Sequence, residues 1–316
     1  MFLLFKKREI SDYISDTFNF FKFFGKHFFK NYFIINSGFL LLLGAVLYWL
    51  LLIDFNVIYD ANLWDSHLEY MISCFSSSTV FFWSFVGIGS LLFLLLSLFN
   101  LSYPVLYFKL VSENNGRHIT LNDLFSSFQQ NFLKILKFSM GFIFILCPII
   151  MLLALVLFIL CLIIIGFPLF VITVPTLFTF ISLSFYAYLL EEKGFFESLK
   201  HAYDLLIEDF WSVLCTTFIM MVIAHIVQGF VTMGFYFSAV IIFVTAAIGD
   251  SIFHAKSFQF SSTMIFFMTA AFMILITLGT IFSNIIMISQ GIIYSSLGEK
   301  SEKIPVQTEL IENNNE

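Results

Sequence analysis

Phe138–Ile165 reads FSMGFIFILCPIIMLLALVLFILCLIII, and Gly166, Phe167 and Pro168 lead straight into a second apolar run ending at Leu190. About 20 consecutive apolar residues cross a bilayer as a helix. A helix is required because lipid offers no partner to free backbone N–H and C=O groups. Two such runs joined by Gly–Phe–Pro predict a tight antiparallel pair of spans, 138–165 and 167–190. Working outward, the same reading predicts spans at 32–53, 79–101, 211–247 and 263–293. The fifth is longer than a bilayer needs, so a bend or break is expected near Gly229 or Gly234. Pro148, Pro168 and Pro175 are expected to kink the third and fourth spans.

Composition supports a lipid-dissolved protein. The 316 residues are 60% hydrophobic and 11% charged, against about 25% charged in a soluble domain. Arg8 and Arg117 are the only arginines, so no basic nucleic-acid surface is present and nucleic acid is not an expected partner. Cys147, Cys161 and Cys215 fall inside apolar runs, where cysteine behaves as a small hydrophobe. Together with Cys74, they show no zinc-site spacing and no disulfide framework. The start, MFLLFKKREI, places its short apolar stretch before the bases, which is not a secretory signal.

Lys and Arg set the orientation. Six precede the first span, four (Lys109, Arg117, Lys134, Lys137) follow the second, two follow the fourth, and Lys300 and Lys303 lie in the tail. The three opposite loops share one base, Lys256. An even number of spans with both termini in the cytoplasm follows, in a bacterial cytoplasmic membrane. Residues 1–297 form one polytopic domain, and 298–316 read as a disordered cytoplasmic tail.

Three cytoplasmic segments carry a 3.6-residue hydrophobic period. Residues 10–31 set Asp12, Asp16, Lys22, Lys26 and Lys30 against Tyr13, Phe18, Phe21 and Phe28. Residues 120–137 repeat the pattern, with Thr120 as N-cap. Residues 195–210 do so a third time, with Phe196, Leu199, Tyr203, Leu206 and Phe210 against Glu197, Lys200, His201, Asp204 and Glu208. Each precedes an odd-numbered span, which predicts three copies of one unit: an amphipathic helix in the headgroup plane, then two spans. Thr17–Phe18, Ser127–Phe128 and Ala202–Tyr203 occupy matching places, and each aromatic is expected to anchor its helix against the spans or the acyl chains. The fold class is therefore all-α, an integral bundle of six transmembrane helices with three interfacial amphipathic helices and a three-fold internal repeat.

The stretch EEKGFFESLKHAYDLLIEDFWSVL, Glu191–Leu214, follows a proline-containing span. Gly194, Leu199, Ala202, Tyr203, Phe210 and Trp211 give it the pattern acid, Gly, amphipathic helix, aromatic pair. In this it resembles a poorly characterised group of six-span bacterial membrane proteins, similar to the membrane domain fused to some glycerophosphodiester phosphodiesterases. The resemblance covers about the central half of the chain and implies fold and topology. It implies no phosphodiesterase activity, because the fused catalytic domain is missing.

Chemistry-bearing groups are few. His225 falls near the middle of the fifth span, where an ionisable group marks a candidate functional position. Gln228 and Thr232 share its face, and Thr280 and Asn284 form a comparable stripe on the sixth span. These five could line a polar cavity, with Thr173, Thr176 and Thr179 of the fourth span a further stripe. The competing reading makes His225 a neutral packing group hydrogen-bonded to a neighbouring helix. No acid or base lies within the spans to partner it. Asp65, His67 and Glu69 are metal-ligand types, but alternate spacing brings them together only on a strand, so a solvated acidic loop is expected. Cys215 and His225 lie about 15 Å apart along one helix, too far for a nucleophile and its base. Gly87 and Gly89 read as packing contacts. No cofactor or metal motif stands out. The expected function is a non-enzymatic scaffold or regulator of membrane processes, with membrane lipids as partners. A transporter or lipid-handling permease with a polar route near His225 is the alternative.

Overall fold

The computed structural model describes residues 8–60, 80–113, 119–164, 166–253 and 262–301. Asp65, His67, Glu69, Cys74, Arg117, Lys256 and most of the predicted tail lie outside them. Among the described residues every regular element is helical: α1 (Ile10–Asp60), α2 (Val80–Glu113), α3 (Leu121–Gly141), a π-helical turn (Phe142–Leu146), α4 (Cys147–Cys161), α5 (Gly166–Leu190), α6 (Phe195–Glu208), α7 (Phe210–Phe253) and α8 (Ser262–Ser301). Six stretches are long and apolar enough to cross a membrane: Ile10–Leu51, Val86–Glu113, Leu121–Cys161, Gly166–Leu190, Phe210–Ser238 and Ile265–Gly298.

The three amphipathic segments join their spans in three different ways. Residues 10–31 are not a separate helix but the first part of α1, a single 51-residue helix. The reason is local: no proline or glycine stands between Lys30 and the apolar run, and Asn31 keeps a helical conformation, so nothing ends the helix. The second segment starts where expected. Thr120 Oγ1 accepts from the Asp123 amide while the Asp123 carboxylate accepts from the Thr120 amide, a reciprocal cap. It then runs into α4 through the π turn, with Pro148 at the first turn of α4. Only the third segment, α6, is separate. Its chain breaks at Asp209 (φ −141°, ψ 48°) before α7 begins.

The turn between the third and fourth spans sits slightly earlier than Gly–Phe–Pro. α4 ends at Cys161, Ile164 takes a left-handed φ of 69°, and Gly166 is already the first residue of α5. A Cβ on Gly166 would meet the Cys161 backbone N at 2.2 Å, so this close approach requires glycine. α7 runs from Phe210 to Phe253 without interruption. The expected break at Gly229 or Gly234 does not occur, since glycine weakens a helix only mildly and no proline is present.

The chain forms two compact units: residues 1–29, 101–223 and 284–316 in the first, and 30–100 and 224–283 in the second. The first holds an aromatic core. Phe20 lies against Tyr107 and Phe108, Phe28 against Tyr103 and Tyr107, Phe108 edge-on to Tyr186, and Phe138 against Phe185. Rings with centroids 4.5–7 Å apart add about 0.5–1.5 kcal/mol each beyond area burial. Tyr13, Phe20 and Phe28 of the 10–29 segment are thus covered by protein. Asp16, read as part of the polar stripe, is buried in an ion pair with Arg8 at 2.8 Å.

The small-then-aromatic pairs divide between two environments. Thr17 and Ala202 are fully buried, while Phe18 and Tyr203 are at least half exposed. Phe128 is half-buried, against Phe132. The small residue lets a neighbouring helix approach, and the aromatic beside it points away from the core.

In the second unit the helices meet at glycines. Met273 packs over Gly44, Val46 comes within 3.1 Å of where a Gly89 Cβ would stand, and Gln228 approaches Gly279. Gly89 is therefore a packing contact as read, whereas Gly87 has nothing within 4 Å. Tyr32 donates to Asn100 across α1 and α2.

Candidate functional site

Two places gather polar groups. The first is an open groove of about 430 Å³ in the second unit, lined by His225, Gln228, Gly229, Thr232, Met233 and Tyr236. Successive helix residues turn by about 100°, so positions 225, 228, 229, 232 and 236 share one face of α7. The groove takes in three of the residues singled out from the sequence, His225, Gln228 and Thr232. Thr280 is not part of its lining, and its hydroxyl donates to the Thr277 carbonyl at 2.8 Å. Asn284 is buried and belongs to the first unit. Every lining residue comes from one helix, so the groove is a polar face and not an enclosed chamber.

The threonine stripe of α5 has a structural use. Thr179 and Thr217 hydroxyls are 2.8 Å apart, and the Gln290 amide donates to Thr217 at 3.0 Å. All three residues are fully buried. This tie joins α5, α7 and α8 inside the first unit, and a Gln within an apolar run was its only sequence signal. Thr176 donates to its own helix, at the Ile172 carbonyl. Tyr186 reaches across to donate to the Met287 carbonyl at 2.8 Å, with its ring seated on Gly291. Tyr13 donates to Ser296, and Tyr103 to the Phe28 carbonyl.

The second gathering is the corner after α5, which residue type alone did not reveal. Lys109 Nζ donates to the Leu189 carbonyl at 3.3 Å, where a helix end leaves carbonyls without intrahelical partners and carries partial negative charge. Glu191 accepts from the Tyr294 hydroxyl and pairs with Lys193. His201 Nε2 stands 3.5 Å from Glu191 Oε1, an ion pair only when the ring is protonated. Glu192, in the left-handed region at φ 56°, meets Lys134 at 2.7 Å. Burial pushes the Glu191 carboxyl up. The hydrogen bonds from Lys193 and Tyr294, with the nearby charges of His201 and Lys193, pull it down further, and it lies below the ordinary value. Glu192 is held low by the hydrogen bond and charge of Lys134.

Among the described residues no group of three or more His, Cys, Asp or Glu could hold a metal ion, and Cys147, Cys161 and Cys215 are free thiols. What the corner does chemically is neutralise and clamp a helix end with charges from α2, α3 and the α5–α6 connection and a hydroxyl from α8. No family model, curated protein or solved structure matches the chain.

Proposed function

We propose that this chain is a non-enzymatic multi-pass protein of a bacterial cytoplasmic membrane, with both termini inside, acting as a scaffold or regulator of membrane processes. The observation that carries this reading is how the first unit uses its buried polar groups. Tyr13, Tyr103, Thr179, Tyr186 and Gln290 each reach another helix. A protein that moves or converts a substrate needs polar groups that face a cavity or a bound molecule. Here they cross-brace helices, which gives a rigid body for others to bind. The charged clamp at the α5 corner adds to the same stiffness.

A second reading, a transporter or lipid-handling permease, draws on the groove at His225, Gln228 and Thr232. Native mass spectrometry of gently solubilised protein separates the two, comparing wild type with the triple variant His225→Leu, Gln228→Leu, Thr232→Val. The scaffold reading expects a protein partner at fixed stoichiometry in both samples. A bound small molecule or lipid that is lost in the variant, with no protein partner in either sample, would replace scaffold with permease.

A further inference from the structure

α6 has three sides, each suited to a different medium. Ser198, Ala202, Leu205 and Leu206 are buried against the rest of the first unit. Glu197, Asp204 and Glu208 form an exposed acidic edge. The third side is also exposed but apolar: Phe196 is 69% accessible, Tyr203 55% and Ile207 56%. At 100° per residue, positions 196, 200, 203 and 207 fall within about 60° of one another, with the exposed Lys200 between the rings. This is not the face expected from the period alone, which grouped Leu199, Leu206 and Phe210 with Phe196 and Tyr203. The structure divides that set, sending Leu206 inward and leaving Phe196 and Tyr203 outside.

We propose that the outer face formed by Phe196, Lys200, Tyr203 and Ile207 seats in the headgroup–acyl boundary of the bilayer that holds the spans. This goes beyond the scaffold reading and does not depend on it. Two observations choose lipid as the occupant. Exposed apolar side chains resume just past Asp209, in α7 at Trp211 (67% accessible), Phe218 and Val222, where a membrane-crossing stretch begins. The one-residue connection at Asp209 holds the end of α6 at the edge of that stretch. Its composition also fits: Trp and Tyr concentrate at membrane interfaces, where an apolar ring meets a polar tip. Lys200 can lay its methylene stem along the rings and return its ammonium to the headgroups. The acidic edge then faces water, away from anionic lipid.

Spin labels at single cysteines test this in the full chain, with the four native cysteines replaced by serine or alanine. The probe is a vesicle of zwitterionic and anionic phospholipid. Phe196→Cys, Tyr203→Cys and Ile207→Cys labels are expected to collide several-fold more with oxygen than with a water-soluble nickel chelate, and Asp204→Cys to show the reverse. Nickel access at the first three would place the face in water. Exclusion of both reagents would mean that protein covers it. Either result overturns the proposal. If the cysteine-free background fails to fold, the wild-type chain and Tyr203→Trp are compared with lipids brominated high on the acyl chain. The proposal expects bromine to quench the emission that the added tryptophan contributes, and an unquenched contribution rejects it.

Discussion

Two fully buried amides, one in each unit, sit among apolar helices with different hydrogen bonding. In the first unit, the Gln290 amide nitrogen donates to Thr217, which also pairs with Thr179, while its oxygen has no partner among the described residues. In the second, Asn36 is equally buried, yet neither its amide nitrogen nor its oxygen has a hydrogen-bond partner among the described residues. The glycines vary too: Gly291 in the first unit lies under the Tyr186 ring and Gly44 in the second under Met273, while Gly229 and Gly234 in the second have nothing within 4 Å. A buried polar group therefore cannot be taken as stabilising from its identity. What matters is whether a partner was built for it.

The contrast can be broken by substitution. The largest effect is expected at Gly291→Val. Its Cβ would stand 2.6 Å from the Tyr186 hydroxyl, so the ring must move and its bond to Met287 is lost. A destabilisation of about 3 kcal/mol follows, read as a lower melting temperature in detergent. An unchanged melting temperature would show that the first unit is not tightly packed there.

Next come the two buried amides, expected to differ in sign. Asn36→Leu removes a desolvated, unbonded group and should stabilise by about 1–2 kcal/mol. Gln290→Leu removes a bonded one and should destabilise by roughly 1 kcal/mol. Should both changes destabilise, Asn36 holds a partner such as a bound water, and the contrast between the units disappears.

A smaller effect belongs to the charged corner. Both Glu191 and Glu192 have folded values below the ordinary 4.5. A carboxyl lowered in the folded state stabilises fully above its unfolded value and loses that contribution as pH falls through its folded value. The melting temperature should accordingly be flat above about pH 5 and decline below 4.5, with a shallower decline in Glu191→Gln. Glu192 is too exposed to add much. The smallest effect is expected at His225→Gln, which keeps hydrogen-bonding capacity on an open groove and should change stability by less than about 0.5 kcal/mol. A loss of cellular function in that variant while it stays folded would favour the permease.

Much of the architecture was legible because it follows from hydropathy and local chemistry. The six spans come from runs of apolar residues, and the start of α3 from Thr120 and Asp123 three positions apart. What failed did so where local pattern cannot name the neighbour. A 3.6-residue period in 10–31 shows that α1 meets two media. It does not show that one of them is an aromatic core, or that Arg8 buries Asp16. The fusion of that segment to its span was missed because a change of composition was read as a change of element. Nor does the period tell which of two adjacent residues packs inside: Thr17 and Ala202 are buried, and Phe18 and Tyr203 beside them are exposed. At the candidate site, the His225–Gln228–Thr232 face was readable from spacing along one helix. The Thr179–Thr217–Gln290 tie and the Glu191 corner join residues far apart in sequence, and no local signal links them.

The π turn at Phe142–Leu146 has a consequence for how the third span could have arisen. A turn that closes over five residues holds one more than an α-helical turn. Each later position therefore lags by about 100° in phase, and α4 presents a different set of side chains outward than an unbroken continuation of α3 would. Deleting a single residue there would restore ordinary winding and leave everything from Cys147 onward facing as it does now. The π turn thus absorbs a one-residue difference in length without exchanging which face of the span meets protein and which meets lipid.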